Sequence, residues 1–533
     1  MCPALSSFHS RNDYLGLLLL CYWMTQVRKN LVTNIISLGV NILVGILYTP
    51  FLVKTLGTEA YGIIPLALIL NQYIVILTES LTSSITRFYS VEFFKKNYKG
   101  ASEYFTTSVI FTIILMLLVV PLCLFPISHI DTLLHIPQKY LISAKFLFLL
   151  VIISLFIAVL SNCINITIFA DNRVDLINYA KIIRHILKLG INIILFSLFS
   201  VDIVNVGIAY ILCEIVVLLY SIWAYKATKN SEIHLSMRLF RFSIIKPVID
   251  MITWVALICF AATFIYKIDA LFVNNYFGLK YTGILSSISE FGSYCISITA
   301  VLGVLYKPLM LRLYSEEKYD ELQNMTIRGS YVVGLASALL CAIIMGMSRP
   351  ILNIWLTEEI SAHYVWLVIK LGSIPLTTMG AFYATVNIYY NKVKKSALWS
   401  LAISLCYTVL CILFLEMGMS MESFLSVNFV VVVTQGFIMN VLIFNDMYSC
   451  SWKLIFCQCG KVLLFMAIIA SCTYVLSMLF EINNLLNLLL SLSLIAFTGF
   501  IISLSFMSQA DIDMLDVSLP VKKIIPKFIN FSK

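Results

Sequence analysis

The chain has 533 residues, 61% of them hydrophobic and 12% charged, with a formal net charge of +9 and a mean hydropathy of +0.96. A soluble fold of this length would expose too much apolar surface, so composition places the chain in a lipid bilayer. The positive charge is spread over alternate loops and forms no nucleic-acid module, and the 14 cysteines lie scattered in apolar runs as small hydrophobes, not as a disulfide framework.

Polar backbone crosses hydrocarbon only as a helix or a closed barrel. The apolar runs last about 20 residues and do not alternate, which selects helices. Residues 1–23 read as an extension ahead of a natural start at Met24, where Arg28 and Lys29 precede the first span. Breaks at charged or Gly/Pro-rich stretches then predict fourteen spans: 30–53, 62–86, 104–127, 142–168, 179–199, 203–225, 248–275, 283–306, 329–350, 364–390, 396–415, 422–446, 454–480 and 484–507.

Between the first two spans stands "YTPFLVKTLGTEAYGIIPL", Tyr48 to Leu66. Span two carries polar residues on one face at Gln72, Glu79, Ser83 and Thr86. Span five, "NYAKIIRHILKLGIN", is the most charged. At 100° per residue Lys181, Arg184, His185 and Lys188 fall within about 100° of one another, Asn178 and Asn192 fall in the same sector, and from Lys181 to Asn192 the stripe climbs roughly 16 Å. Snorkelling at a helix end accounts for Lys181 and Arg184. Lys188 lies deeper, and Asn192 cannot snorkel. Span six contributes Glu214.

Span seven contains Lys267 and Asp269, about 200° apart on a helix, so at most one points squarely into a shared cavity. It ends in "IDALFVNNYFGLKYTGILS", Ile268 to Ser286, where Gly278 and Gly283 repeat Gly57 and Gly62 at a constant offset of 221 residues. Span eight carries Ser286, Glu290, Ser293 and Ser297 on one face. An unpaired carboxylate in lipid costs several kcal/mol, which marks Glu79, Glu290 and Asp269 as candidates to bind a coupling cation or proton. "CQCG" at Cys457–Gly460 has no neighbouring His or acid to complete a metal site.

Basic residues gather in alternate loops: Arg28 and Lys29; Lys95, Lys96 and Lys99; Arg173; Lys226, Lys229, Arg238 and Arg241; Arg312, Lys318 and Arg328; Lys392, Lys394 and Lys395. By the positive-inside rule both termini are cytoplasmic and both glycine hinges lie outside. The expected fold is an all-α polytopic membrane protein: two pseudo-symmetric six-helix bundles in parallel orientation, at 24–246 and 247–447, two extra transmembrane helices within 448–510, and a cytoplasmic tail at 511–533. Such halves rock about a central cavity lined by spans one, two, seven and eight. Bulk at Gly57 or Gly278 is expected to hinder closure, and Asp269 and Glu79 to face a water-filled cleft.

The stretch "NLVTNIISLGVNILVGILYTPFLVKTLGTEAYG", Asn30 to Gly62, resembles the amino-terminal signature of the polysaccharide transporter family, the Wzx-type O-antigen and capsule flippases. That family belongs to the multidrug/oligosaccharidyl-lipid/polysaccharide exporter superfamily. "IDALFVNNYFGLKYTG" resembles its span-seven pattern. The resemblance covers spans one to twelve and implies movement of an undecaprenyl-diphosphate-linked oligosaccharide between leaflets of the bacterial inner membrane, with a polysaccharide polymerase as an expected partner. Fourteen spans, two more than the commoner number, are shared with the related lipid II flippases. A diphosphate cargo needs a cationic cleft, for which Lys188, Arg184, Lys181, Asn192, Asp269 and Lys267 are the candidates.

Three alternatives stay open: a cation-coupled multidrug exporter, a lipid II flippase, and a membrane polymerase or glycosyltransferase. The last is disfavoured by outward loops of only about 14 residues, at 127–140 and 350–363. There is no Walker A, G-x-S-x-G or H-E-x-x-H sequence, and no cofactor is expected.

Overall fold

The computed structural model describes residues 11–69, 72, 85, 88–90, 92–93, 95–228, 233, 235–390, 392–448, 452–479 and 485–511. Glu79, Ser83, Thr86, Lys229 and the tail beyond residue 511 therefore lie outside the described residues. Among those described the chain is helical, with no strand. Among the described residues ten helices are long and apolar enough to cross a membrane, and two shorter apolar ones, Thr58–Ile69 and Leu490–Ser505, overlap predicted spans two and fourteen. Spans five and seven are helical too, so each of the fourteen carries a helix in its described part.

The chain divides into two compact units, one of residues 1–56 with 67–253 and one of residues 57–66 with 254–533. The first contains α1 (Arg11–Leu56), α3 (Tyr98–Ser128), α4 (Ile130–Leu133), α5 (Gln138–Ala170), α6 (Val174–Leu198) and α7 (Ile203–Ala227). α1 runs unbroken from Arg11 through Met24. Gly207 brings α7 close to α5, since a Cβ there would stand 2.9 Å from the Leu150 side chain. Residues 26–30 of α1 are tied to the start of α6 by a polar knot. The Asn30 carboxamide accepts from the Asp175 amide at 2.9 Å and donates to the Asn172 carbonyl at 2.9 Å. The Asp175 carboxylate is in turn held by Lys29 at 2.8 Å and by Gln26 at 2.7 Å. The resemblance signature thus opens on a residue whose side chain stitches two helices.

The second unit takes in the short helix α2 (Thr58–Tyr61) and then α8 (Ile245–Phe277, from residue 254 on), α9 (Leu279–Ser315), α10 (Tyr319–Gly346), α11 (Ser348–Trp355), α12 (Glu358–Ser361), α13 (Tyr364–Gly372) and α14 (Ile374–Tyr389). It continues with α15 (Val393–Glu416), α16 (Met421–Val433), a π turn at Thr434–Ile438, α17 (Met439–Tyr448), α18 (Trp452–Leu479) and α19 (Leu485–Ser505). Its core centres on Tyr306, Tyr331, Met379, Tyr383, Phe444 and Phe465. The extra helix α18 lies tightly against α10 at Gly346, where an added Cβ would be 2.6 Å from the Ala470 carbonyl oxygen. Just past the end of α19, the Phe506 carbonyl accepts from the Tyr331 hydroxyl at 2.6 Å.

The repeated hinge has the same backbone in both copies. Gly57 (φ 83, ψ 158) starts α2 and Gly278 (φ 92, ψ 173) starts α9. That region is nearly closed to residues with a Cβ. Nothing lies within 4 Å of a Cβ built at either glycine, so in this conformation the constraint at both is dihedral, not steric. Bulk matters at the second glycine of each pair. A Cβ on Gly62 would stand 2.6 Å from the Leu279 carbonyl oxygen, and one on Gly283 would stand 2.0 Å from that of Thr58. The two copies cross each other through their paired glycines.

A surface clasp flanks this crossing. Glu359 accepts from Lys280 at 2.5 Å and from the Thr58 hydroxyl at 3.2 Å. The Lys280 ammonium is the main influence holding the Glu359 carboxyl below the usual carboxylate range. A lowered folded-state pKa means that this contribution is present above the unfolded pKa and is lost as pH falls through the folded one. The effect is small because the pair is solvated.

The crossing and its clasp lead to two predictions. Thermal melts in detergent should show Gly283→Ala destabilised by about 1–3 kcal/mol through overpacking, and Gly57→Ala by about 1–3 kcal/mol through strain. A Thr58→Ala, Gly283→Ala pair should be no better than Gly283→Ala alone, because the obstacle is a backbone oxygen. Melting temperature should also fall less between pH 7 and pH 4 in Glu359→Gln than in the unaltered protein. An identical slope in both would show that the clasp contributes nothing.

Candidate functional site

The cationic stripe of α6 is sorted by its neighbours in the first unit. Lys181 is exposed. Arg184 pairs with Glu214 of α7, its Nη2 donating to Oε2 at 3.0 Å, so Glu214 is a counter-charge there. Asn178 is buried and donates to Thr33 of α1 at 3.1 Å. Asn192 is fully buried and donates to the Tyr48 hydroxyl at 3.2 Å and to the Lys188 carbonyl at 2.7 Å. The two asparagines therefore face helix contacts and not an open cleft.

Lys188 differs from its neighbours on the stripe. Its ammonium sits 4.6 Å from the centre of the Tyr48 ring and 4.8 Å from that of Tyr210. Among the described residues it pairs with no carboxylate. Two aromatic faces stabilise a cation electrostatically without cancelling its charge, an effect worth about 2 kcal/mol when water is excluded. Tyr48 lies in the first span and belongs to the quoted signature.

The second unit has a half-open cavity of about 460 Å³ between α8, α9, α13, α14 and α16. Lys267 and Lys370 reach its wall, with Asn428, Ser289, Ser293, Thr377 and Thr378 as polar lining and Ile296, Ile374 and Val432 as apolar lining. The 200° between Lys267 and Asp269 operates as helical geometry requires. Lys267 lines the cavity, whereas Asp269 is 3% exposed and turned into the packed side of α8. The expectation that Asp269 faces a water-filled cleft is thus corrected.

Asp269 is enclosed by three partners. Lys370 donates to one carboxylate oxygen. The Tyr407 hydroxyl donates to the other at 2.5 Å, and Asn428 Nδ2 donates to that same oxygen at 3.0 Å. The Asn428 side-chain oxygen Oδ1 accepts from Lys370 at 3.0 Å. A buried carboxylate needs this degree of satisfaction, since burial without partners costs several kcal/mol. Lys267 has no carboxylate partner among the described residues. Glu290 is half-buried on α9 and does not line the cavity; Ser289, Gly292 and Ser293 form that face instead.

Sequence reasoning missed Lys370, Tyr407 and Asn428. The signal for Lys370 was present, because a lysine inside the apolar run "YVWLVIKLG" stands out by the cost of intramembrane charge. Tyr407 and Asn428 carry no such mark and become legible only as neighbours of Asp269.

No family profile matches the chain. A curated relative, the uncharacterized membrane protein EpsK of Bacillus subtilis (strain 168), is 24% identical over 394 residues, covering 72% of this chain and 76% of the relative. Among solved structures, the lipid II flippase MurJ in an inward closed conformation superposes with a TM-score of 0.64 at 13% identity, covering 89% of this chain and 98% of that one. The MATE multidrug transporter DinF-BH gives 0.63 at 14% identity, covering 81% and 96%. An inward-facing MATE transporter of the MOP superfamily gives 0.58 at 14%, covering 78% and 99%. The chain is a multi-pass membrane protein with the fold of these transporters, and its structural neighbours are transporters and not enzymes.

The buried Asp269 network predicts a non-additive pair. Lys370→Met strands the carboxylate and should cost roughly 3–5 kcal/mol of stability, whereas Lys370→Met with Asp269→Leu should recover most of that loss. Denaturation in detergent measures both. Additive losses would show that the two side chains do not interact.

Proposed function

We propose that this chain is a flippase that moves an undecaprenyl-diphosphate-linked oligosaccharide, an O-antigen, capsule or exopolysaccharide unit, from the cytoplasmic to the outer leaflet of the bacterial inner membrane by alternating access. The observation that carries this reading is Lys188, an ammonium near the middle of α6, held by two tyrosine rings and uncancelled by any described carboxylate. Such a group is costly in hydrocarbon, and an anionic cargo offsets that cost. The fold it shares with a protein named a lipid II flippase agrees with a lipid cargo, and the signature at Asn30 to Gly62 agrees with a glycan on it. In this reading both termini are cytoplasmic and a polymerase receives the exported unit. Lys181, at the exposed start of the stripe, and Arg184 guide the headgroup inward, and Glu79 and Glu290 are the coupling carboxylates. Asp269, already neutralised by Lys370, serves through that lysine.

A second reading, a cation-coupled exporter of small amphipathic molecules, is favoured by one observation: a cavity of about 460 Å³ is of drug-binding size. The two readings part in the cell. Removing the gene from its bacterium should abolish surface polysaccharide and leave lipid-linked oligosaccharide on the cytoplasmic face. Lys188→Arg should restore export, and Lys188→Ala should leave it about tenfold lower at equal protein level, the equivalent of about 1.4 kcal/mol. Unchanged polysaccharide with altered drug tolerance would favour the exporter. Orientation is checked in a variant without native cysteines: a cysteine at Thr58 should be labelled from outside the cell.

A further inference from the structure

We propose that the cavity of the second unit is a phosphate-binding subsite, in which Lys267 and Lys370 together hold the phosphate of a lipid headgroup. This rests on the flippase reading and adds a second anion site to it, in the other unit from Lys188. The charges around the cavity do not cancel: Lys267 and Lys370 supply two positive charges and Asp269 one negative, and among the described residues Lys267 has no acidic partner. Water and hydroxyls alone solvate an ammonium poorly between apolar helices, so the surplus charge is best accounted for by an anion that visits.

The donor set suits a phosphate. An ammonium has three N–H donors. Lys370 uses two, on Asp269 and on the Asn428 side-chain oxygen Oδ1, and keeps one while standing on the cavity wall. Asp269 is itself held by Tyr407 and Asn428, so Lys370 is fixed in place without losing that last donor. Thr377 and Thr378 now donate to the Ile374 carbonyl at 3.0 and 2.8 Å. Their hydroxyls can rotate to a ligand at the cost of one local hydrogen bond each. Ile296 and Val432 on the same wall offer apolar surface to the lipid chain behind the headgroup. A wall with ammonium and hydroxyl donors beside aliphatic side chains matches an amphiphile with a phosphate at one end.

Two sources share that chemistry, a polyprenyl diphosphate and an ordinary anionic phospholipid. The test uses the full-length protein in phosphatidylcholine nanodiscs, titrated with farnesyl diphosphate and, separately, with farnesol. Lys267→Gln should weaken farnesyl diphosphate binding about tenfold and Lys267→Arg should keep it within a few-fold. Farnesol should bind far more weakly than the diphosphate. Lys267 has no described carboxylate partner to strand, so its replacement should not lower the melting temperature, which is measured on the same samples. Binding by Lys267→Gln equal to that of the unaltered protein, or farnesol binding as tightly as the diphosphate, overturns the subsite. A Lys267-dependent displacement by added phosphatidylglycerol supports it with a phospholipid as the occupant; indifference to phosphatidylglycerol supports it with the diphosphate lipid. The flippase reading fails separately, by unchanged surface polysaccharide in cells lacking the gene, whatever the nanodiscs show.

Discussion

Hydrocarbon solvates neither an unpaired amide nor an uncompensated charge, and the interior of this protein is organised around that restriction. The backbone answers it with helices throughout the described residues. The side chains answer it in three ways. Asp269 is surrounded by three donors. Arg184 takes a carboxylate partner from the next helix. Lys188 uses aromatic faces, which leave its charge in place. Of these three, the last leaves a cation with no carboxylate partner among the described residues, as Lys267 at the cavity wall also is.

The repeated hinge shows how one pair of residue types can serve two unrelated demands. The first glycine of each pair is required by a backbone conformation that excludes a Cβ, with φ of 83° at one and 92° at the other. The second is required because the two copies touch, backbone against backbone. The repetition along the chain is thus also a contact in space, and the segment 57–66 packs with the second unit although the residues before and after it belong to the first.

The candidate sites were partly legible. Periodicity put Lys188 on one face with Arg184, and helical geometry put Lys267 and Asp269 on opposite faces of α8; both statements hold because they depend only on the regular rise and turn of a helix. Which of two opposite faces meets a cavity depends on the neighbouring helices. Asp269 looked the better candidate for the cleft on pattern, yet α13, α15 and α16 cover it and leave Lys267 at the wall. Likewise nothing local distinguishes Arg184 from Lys188; Glu214 stands beside one and Tyr210 beside the other, and both come from α7.

The sequence by itself determined that the chain lies in a membrane, that it crosses as helices, where most of the described helices fall, and that one hinge is written twice. Each of these follows from composition, from a period of 3.6 residues, or from glycine's freedom at positive φ, properties that act over a few neighbouring positions. The tertiary structure alone decided that Gly62 meets Gly283, that Lys370, Tyr407 and Asn428 converge on Asp269, and that Lys188 rests between two rings. These pairings join residues as far as 221 positions apart in the chain. They are selected by how side-chain volumes fit when whole helices pack, and no local pattern in the chain encodes that fit.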